Sequence, residues 1–264
     1  MIARRVAMKI KEVLKNNYKY WLFLIAVGIV GGIFTGFYTL EITDPAILEE
    51  ALLQVGGETA YILISTMQVI SYALIFGIFG KFIAGKAGLL REVKFQKKTT
   101  VKIALIGLVG GALVTVLDTL VFASGADGEA IKESLRLSLS LSSIIASFTY
   151  GGIIEEIMMR LFLMSLIALL LWKIFSKKSE AIPAWTLVIA NVLTAILFAA
   201  GHLPATAGTM GLTPMIVLRC FLFNGGMGLI FGRAYRKHGI HYAMLSHIFA
   251  HVGMKLISAI IILM

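Results

Sequence analysis

Charged residues are scarce in this sequence. Asp, Glu, Lys and Arg together make up 14% of the 264 residues, whereas they make up about a quarter of a typical soluble domain. Hydrophobic residues make up 59%, which is more apolar surface than one globular core can bury. The composition therefore excludes an ordinary soluble domain and indicates a protein that lies in a lipid bilayer.

Alternation of polar and apolar residues is also lacking. Only helices and closed barrels satisfy their backbone groups in lipid, and continuous apolar runs favour helices over a barrel. The sequence therefore predicts an all-α, polytopic bundle of about seven transmembrane spans. The predicted spans are Trp21–Leu40, Ala60–Gly80, Lys102–Ala123, a long segment Leu137–Trp172, Ala184–Gly201, Pro214–Ala234 and Ile240–Met264.

Cysteine gives little information, because the chain has a single one, Cys220, which has no partner for an intrachain disulfide. The net charge is +10, which in a soluble protein would suggest a nucleic-acid partner. No nucleic-acid recognition module is present, however, and the basic residues cluster between apolar runs. We therefore expect no nucleic-acid partner, and the lipid bilayer as the surroundings of the chain.

The loops alternate in charge. Residues 41–58 are acidic and contain no Lys or Arg, whereas residues 81–98 are strongly basic. Basic loops stay in the cytoplasm, so we expect a cytoplasmic N-terminus and, in a bacterium, a plasma-membrane location. The predicted organisation is a basic amphipathic segment over residues 1–20, three spans over 21–136 and a catalytic helical core over 137–264.

Ionisable side chains inside a membrane span are costly and usually functional. Glu155, Glu156 and Arg160 lie together in the fourth span. Glu156 and Arg160 are four residues apart, so they share a helix face and can pair. Glu155 points about 100° away, and a carboxyl without that partner suits a general base. A purely structural ion pair would explain Glu156 and Arg160 but not Glu155.

Three histidines complete the candidate site. His202 lies between Gly201 and Pro204, where we expect the fifth span to end; it is either functional or an interfacial histidine. His247 and His251 are four apart in the last span, which is metal-ligand spacing. The HExxH glutamate is missing, since Ile248 follows His247. Glu155 is then the expected carboxylate donor to this pair.

Other polar residues in the spans have weaker signals. Asp118 is expected to snorkel or to line a cavity, and Arg219 to pair with Asp118 or with a carboxyl of the fourth span. Asn224 is interpreted as a residue of close helix packing.

Three short motifs resemble those of the type II CAAX prenyl endopeptidase family, also called the CPBP family of intramembrane proteases. EEIMMR matches EExxxR, FAAGH matches FxxxH, and HIFAH partly matches HxxxN. The motifs have the family's order, each lies in an apolar run, and the resemblance covers roughly residues 140–255. His251 is a departure, because the family usually has Asn at that position.

The resemblance implies a role for each matched residue. Glu155 resembles the catalytic glutamate that activates water, and Glu156 and Arg160 resemble the pair that holds the site. Phe198 and His202 match the second motif, whose histidine is catalytic, and His247 matches the first position of the third. His251, in place of Asn, would either stabilise the oxyanion or complete a metal site.

The predicted function is therefore an intramembrane endopeptidase that cleaves a membrane-associated, CAAX-like or other, peptide or protein substrate. Glu155, His202, His247 and His251 would activate water directly or hold Zn²⁺. The alternative is a scaffold without catalysis that serves as a membrane binding or immunity protein, or as a transporter. The topology raises one difficulty, since Glu155 and His202 are expected toward the outer side and His247 near the inner end of its span.

Overall fold

The structure is a computed structural model that describes residues 17–125, 127–176 and 179–264. Helices account for nearly all of these residues, and the described part of the chain contains no β-strand. In chain order the helices are α1 (Tyr18–Ile42), α2 (Pro45–Val55), α3 (Glu58–Lys86), α4 (Lys97–Phe122), α5 (Gly128–Leu137), α6 (Leu141–Phe175), α7 (Ala184–Met210), α8 (Pro214–His238) and α9 (Ile240–Leu263).

Seven of these helices, all except α2 and α5, are long and apolar enough to cross a membrane. The prediction of an all-α bundle with seven spans is confirmed, and the protein is a multi-pass integral membrane protein. Because the number of crossings is odd, α1 begins on one side of the membrane and α9 ends on the other. α1, α4, α7 and α9 end at the face where α3, α6 and α8 begin. The predicted amphipathic segment falls mainly on residues 1–16, outside the described residues.

Two predicted boundaries were wrong. The fourth span begins at Leu141 rather than Leu137, because the Ser140 hydroxyl accepts a hydrogen bond from the Ser143 amide at 3.1 Å and caps a new helix. Residues before this cap form the separate helix α5. The fifth span does not end near His202, since α7 continues to Met210.

Pro204 lies inside α7 and removes one backbone hydrogen bond, the one to the Ala200 carbonyl. The loss is local, and membrane helices retain proline because neighbouring groups satisfy the backbone. The Thr206 hydroxyl donates to the His202 carbonyl at 2.9 Å, in the turn that contains Pro204. The proline therefore does not terminate the helix.

α9 packs along α4 at very short range. A side-chain carbon on Gly111 would lie 1.9 Å from the Ala250 carbonyl oxygen, and one on Gly107 would lie 2.2 Å from the Ser246 carbonyl oxygen. Small residues spaced four apart allow two membrane helices to approach this closely. The contact fixes the turn of α9 that carries His247 and His251.

Candidate active site

α6 departs from regular α-helical geometry around the glutamates. It is π-helical from Ser147 to Glu155 and again from Ile157 to Met164. Such widened turns are rare and often occur at functional sites. Glu155 faces a cavity, whereas Glu156, the next residue along the chain, faces the packed interior. The exposed fractions show this directly: 17% for the Glu155 side chain and 0% for Glu156.

A cavity of about 310 Å³ lies among the helices that carry the candidate residues. Its wall includes Glu155 from α6, His202 from α7, and His247 and His251 from α9. These four residues come from three helices and from separate motifs, and the fold brings all of them to one space. Glu156 and Arg160 lie behind this wall.

Glu155 and His202 face each other across a short gap. Oε1 of Glu155 lies 4.0 Å from Nε2 of His202. Nδ1 of His202 lies 2.7 Å from the Phe198 carbonyl oxygen, and a carbonyl only accepts hydrogen bonds. Nδ1 therefore carries the proton, and Nε2 of the neutral ring presents a lone pair toward Glu155. Two acceptors at this separation suit a molecule that donates two hydrogen bonds, such as water.

Glu156 joins two neighbouring helices. Its Oε1 forms an ion pair with Nη1 of Arg160 at 2.9 Å, as predicted from the spacing, and accepts a hydrogen bond from Nδ1 of His247 at 2.8 Å. Nη2 of Arg160 donates to the Gly228 carbonyl of α8 at 3.1 Å. Buried charges need such partners. The network ties α6 to α8 and α9.

The carboxylate in direct contact with His247 is Glu156, whereas Glu155, expected to complete the site of His247 and His251, lines the same cavity as the two histidines. The reason is the direction of the two side chains, because Glu156 faces α9 whereas Glu155 faces α7. Glu155 meets His202 instead.

Aromatic rings hold the polar groups in place. The Phe231 ring stacks on His247 with centroids 4.2 Å apart, and His247 in turn stacks on His251 at 4.9 Å. The Arg160 guanidinium lies over the Phe198 ring at 4.7 Å from its centroid. Stacking and cation–π contacts of this kind favour one fixed orientation of each ring. Phe198 was singled out by its motif, but no sequence signal marked Phe231.

The predicted depth conflict is absent from the structure. Glu155 lies fourteen residues into α6, and the next residue, Glu156, accepts a hydrogen bond from His247 of α9. His247 lies seven residues into α9, about 10 Å from the opposite end. The two residues therefore reach a similar level in a hydrocarbon core of about 30 Å.

Zinc needs three or four ligands converging on one point. Within the described ranges, no group of three or more His, Cys, Asp or Glu side chains converges in this way. His247 and His251 lie face to face, with ring centroids 4.9 Å apart. This donor set does not fit a zinc site as it is arranged.

Three further polar residues lie in or beside the site. Asn224 of α8, interpreted from sequence as a packing residue, lies in the cavity wall, and its side-chain amide donates to the Cys220 carbonyl at 3.2 Å. Asp118 and Arg219 pair through two hydrogen bonds in an adjoining cavity, as one of the two predicted pairings required. Asn224 could not be distinguished in the sequence from the glycines around it.

Residues 137–253 match the family model described as Rce1-like, type II CAAX prenyl endopeptidase Rce1-like. This segment is Rce1-like. It contains every residue of the candidate site, from Glu155 to His251, and it confirms the resemblance seen in the motifs. Comparison with curated proteins and with solved structures finds no match. The protein is thus a membrane protein with a CAAX-protease-like segment.

Proposed function

We propose that this protein is an intramembrane endopeptidase that hydrolyses a peptide bond of a membrane-associated substrate. The observation that supports the proposal most directly is the facing pair of Glu155 and His202, 4.0 Å apart in the wall of a cavity within the spans. Both present hydrogen-bond acceptors, so a single water molecule between them donates one hydrogen bond to each. Such a water has its oxygen lone pairs free to attack a carbonyl carbon.

Glu155 acts as the general base in this proposal. As the water oxygen bonds to the scissile carbonyl carbon, a water proton passes to the Glu155 carboxylate. The tetrahedral intermediate then collapses, the C–N bond breaks, and the proton passes from Glu155 to the leaving amine. His202 orients the water through Nε2. The products are a new carboxylate and a new amine, and the protein returns to its starting state.

The developing oxyanion needs a hydrogen-bond donor. His251 and Asn224 both line the cavity, and a neutral imidazole or an amide can donate one. Glu156 and Arg160 do not reach the cavity, so they act as positioning residues through His247. The resemblance to a family that usually has Asn at position 251 is consistent with a donor role for His251.

The test uses purified protein in liposomes and a panel of membrane-anchored peptides, prenylated and unprenylated, with cleavage followed by mass spectrometry. Glu155→Gln should lower the rate by about 10²–10⁴-fold, the usual contribution of a general base. Glu129→Gln is the matched control, because Glu129 is exposed on α5 and pairs with Lys132. Full activity in Glu155→Gln, or no cleavage of any peptide by the wild-type protein, contradicts the proposal.

A further inference from the structure

The cavity that contains Glu155 leads toward one end of the bundle. Its wall includes Thr39 near the end of α1, Met254 in the second half of α9, and Ser147 in the first turns of α6. A second cavity of about 460 Å³ also has Ser147, His202 and His251 in its wall. The two cavities therefore lie side by side and share part of their wall.

The second cavity extends this route to the surface. Its wall reaches Thr209 near the end of α7 and Glu133 on α5, and both residues are exposed. All of these positions lie at the face where α1, α4, α7 and α9 end and where α3, α6 and α8 begin. We call this end of the bundle the α5 face.

Along the sequence, the basic residues stand almost entirely next to those span ends that belong to the opposite face. In the sequence, these residues precede or begin α1 and α4, lie near the ends of α3, α6 and α8, or stand between α6 and α7. They are Arg4, Arg5, Lys9, Lys11, Lys15, Lys19, Lys81, Lys86, Arg91, Lys94, Lys97, Lys98, Lys102, Lys173, Lys177, Lys178, Arg233, Arg236 and Lys237. The sequence between spans at the α5 face has only Lys132 and Arg136. Lys and Arg near span ends mark the cytoplasmic side.

We infer that the cavity opens on the non-cytoplasmic side of the membrane, and that the substrates are polypeptide segments presented on that side. The direction of the opening follows from charge and geometry alone, whereas the assignment of substrates rests on the proposed function. Segments of exported or membrane-inserted proteins fit this access. A protein confined to the cytoplasm does not reach Glu155 by this route.

The test is cysteine accessibility in intact cells. The full chain with Cys220→Ala provides a background without cysteine, since Cys220 is the single cysteine and is buried. Thr209→Cys reports on the cavity rim and Ser147→Cys on its depth. Lys237→Cys is the matched control, at the exposed end of α8 on the opposite face. A small, charged, membrane-impermeant thiol reagent is added before and after permeabilisation.

The inference predicts that Thr209→Cys and Ser147→Cys react in intact cells, whereas Lys237→Cys reacts only after permeabilisation. Reaction of Lys237→Cys in intact cells, with Thr209→Cys protected, overturns it. Reaction of Ser147→Cys only after permeabilisation also overturns it, because the deep cavity would then be reached from the cytoplasm. The labelling requires no cleavage, so failure of the proposed function would show separately in the liposome assay.

Discussion

Nδ1 of His247 lies 2.8 Å from Oε1 of Glu156, and this hydrogen bond joins α9 to α6 inside the bundle. The same oxygen lies 2.9 Å from Nη1 of Arg160 in a buried ion pair. The bond fixes the proton of His247 on Nδ1 and leaves Nε2 as the acceptor. Glu156 therefore controls both the direction and the tautomer of a histidine in the cavity wall without reaching the cavity itself.

Replacement of Glu156 separates these effects. Glu156→Ala removes the acceptor and should lower kcat by about 10–100-fold, which corresponds to the roughly 1.5–3 kcal/mol of a hydrogen bond to a charged group. Glu156→Gln keeps an oxygen that accepts from Nδ1 and should recover part of the loss, with KM unchanged in both variants. The measurement is steady-state cleavage in liposomes. Equal rates for the wild-type protein and Glu156→Ala would contradict the positioning role.

Removal of Arg160 should destabilise the protein. Arg160→Met leaves the buried Glu156 carboxylate without its guanidinium, which costs about 3–5 kcal/mol in buried ion pairs. The double variant Arg160→Met with Glu156→Leu removes both charges and should be more stable than the single variant. Thermal unfolding in detergent measures both. The control is Arg136→Met, at an exposed pair with Glu133, which should leave Tm unchanged; an unchanged Tm in Arg160→Met would argue against the network.

Gly151 gives a way to move His251 without replacing it. A side-chain carbon on Gly151 would lie 2.9 Å from Nε2 of His251, so Gly151→Ala should push the ring aside and lower the cleavage rate about as much as His251→Ala. The ring end can swing, so Tm should change little. Gly208→Ala on α7 is the control, because nothing lies within 4 Å of the added carbon. Normal activity in Gly151→Ala would mean that the position of His251 is unimportant.

Metal dependence gives a separate prediction. Because the described His and Glu side chains do not converge as a metal-binding group, cleavage by purified protein should survive prolonged treatment with a chelator. Elemental analysis of the protein should then find less than one zinc per chain. A stoichiometric zinc that is lost in both His247→Ala and His251→Ala would show that the side chains rearrange around a metal, as the spacing of the two histidines predicts.

The sequence predicted those features of the fold and the site that are set within a single helix. Apolar length gave the seven spans, and spacing along one helix gave the pairing of Glu156 with Arg160. The motifs identified the family segment. Each of these predictions uses only the residue spacing or the apolar length within one segment of the chain.

Contacts between helices were predicted less well. Whether Glu155 or Glu156 meets His247 depends on how α6 is rotated, and the π-helical turns from Ser147 onward change that rotation. Nothing in the residue types marks those turns. The continuation of α7 beyond Pro204 was not predicted either. Whether a helix continues past a proline depends on the neighbouring groups that satisfy the backbone.

The central claim is that Glu155 and His202 act together on one water molecule, and a double-variant comparison tests it most directly. The measurement is kcat for Glu155→Gln, His202→Ala and the combined variant in liposomes. Residues that act as one unit lose activity non-additively, so the combined variant should be no slower than Glu155→Gln alone, within about threefold. Losses that multiply, or a Glu155→Gln variant that cleaves at the wild-type rate, would contradict the claim.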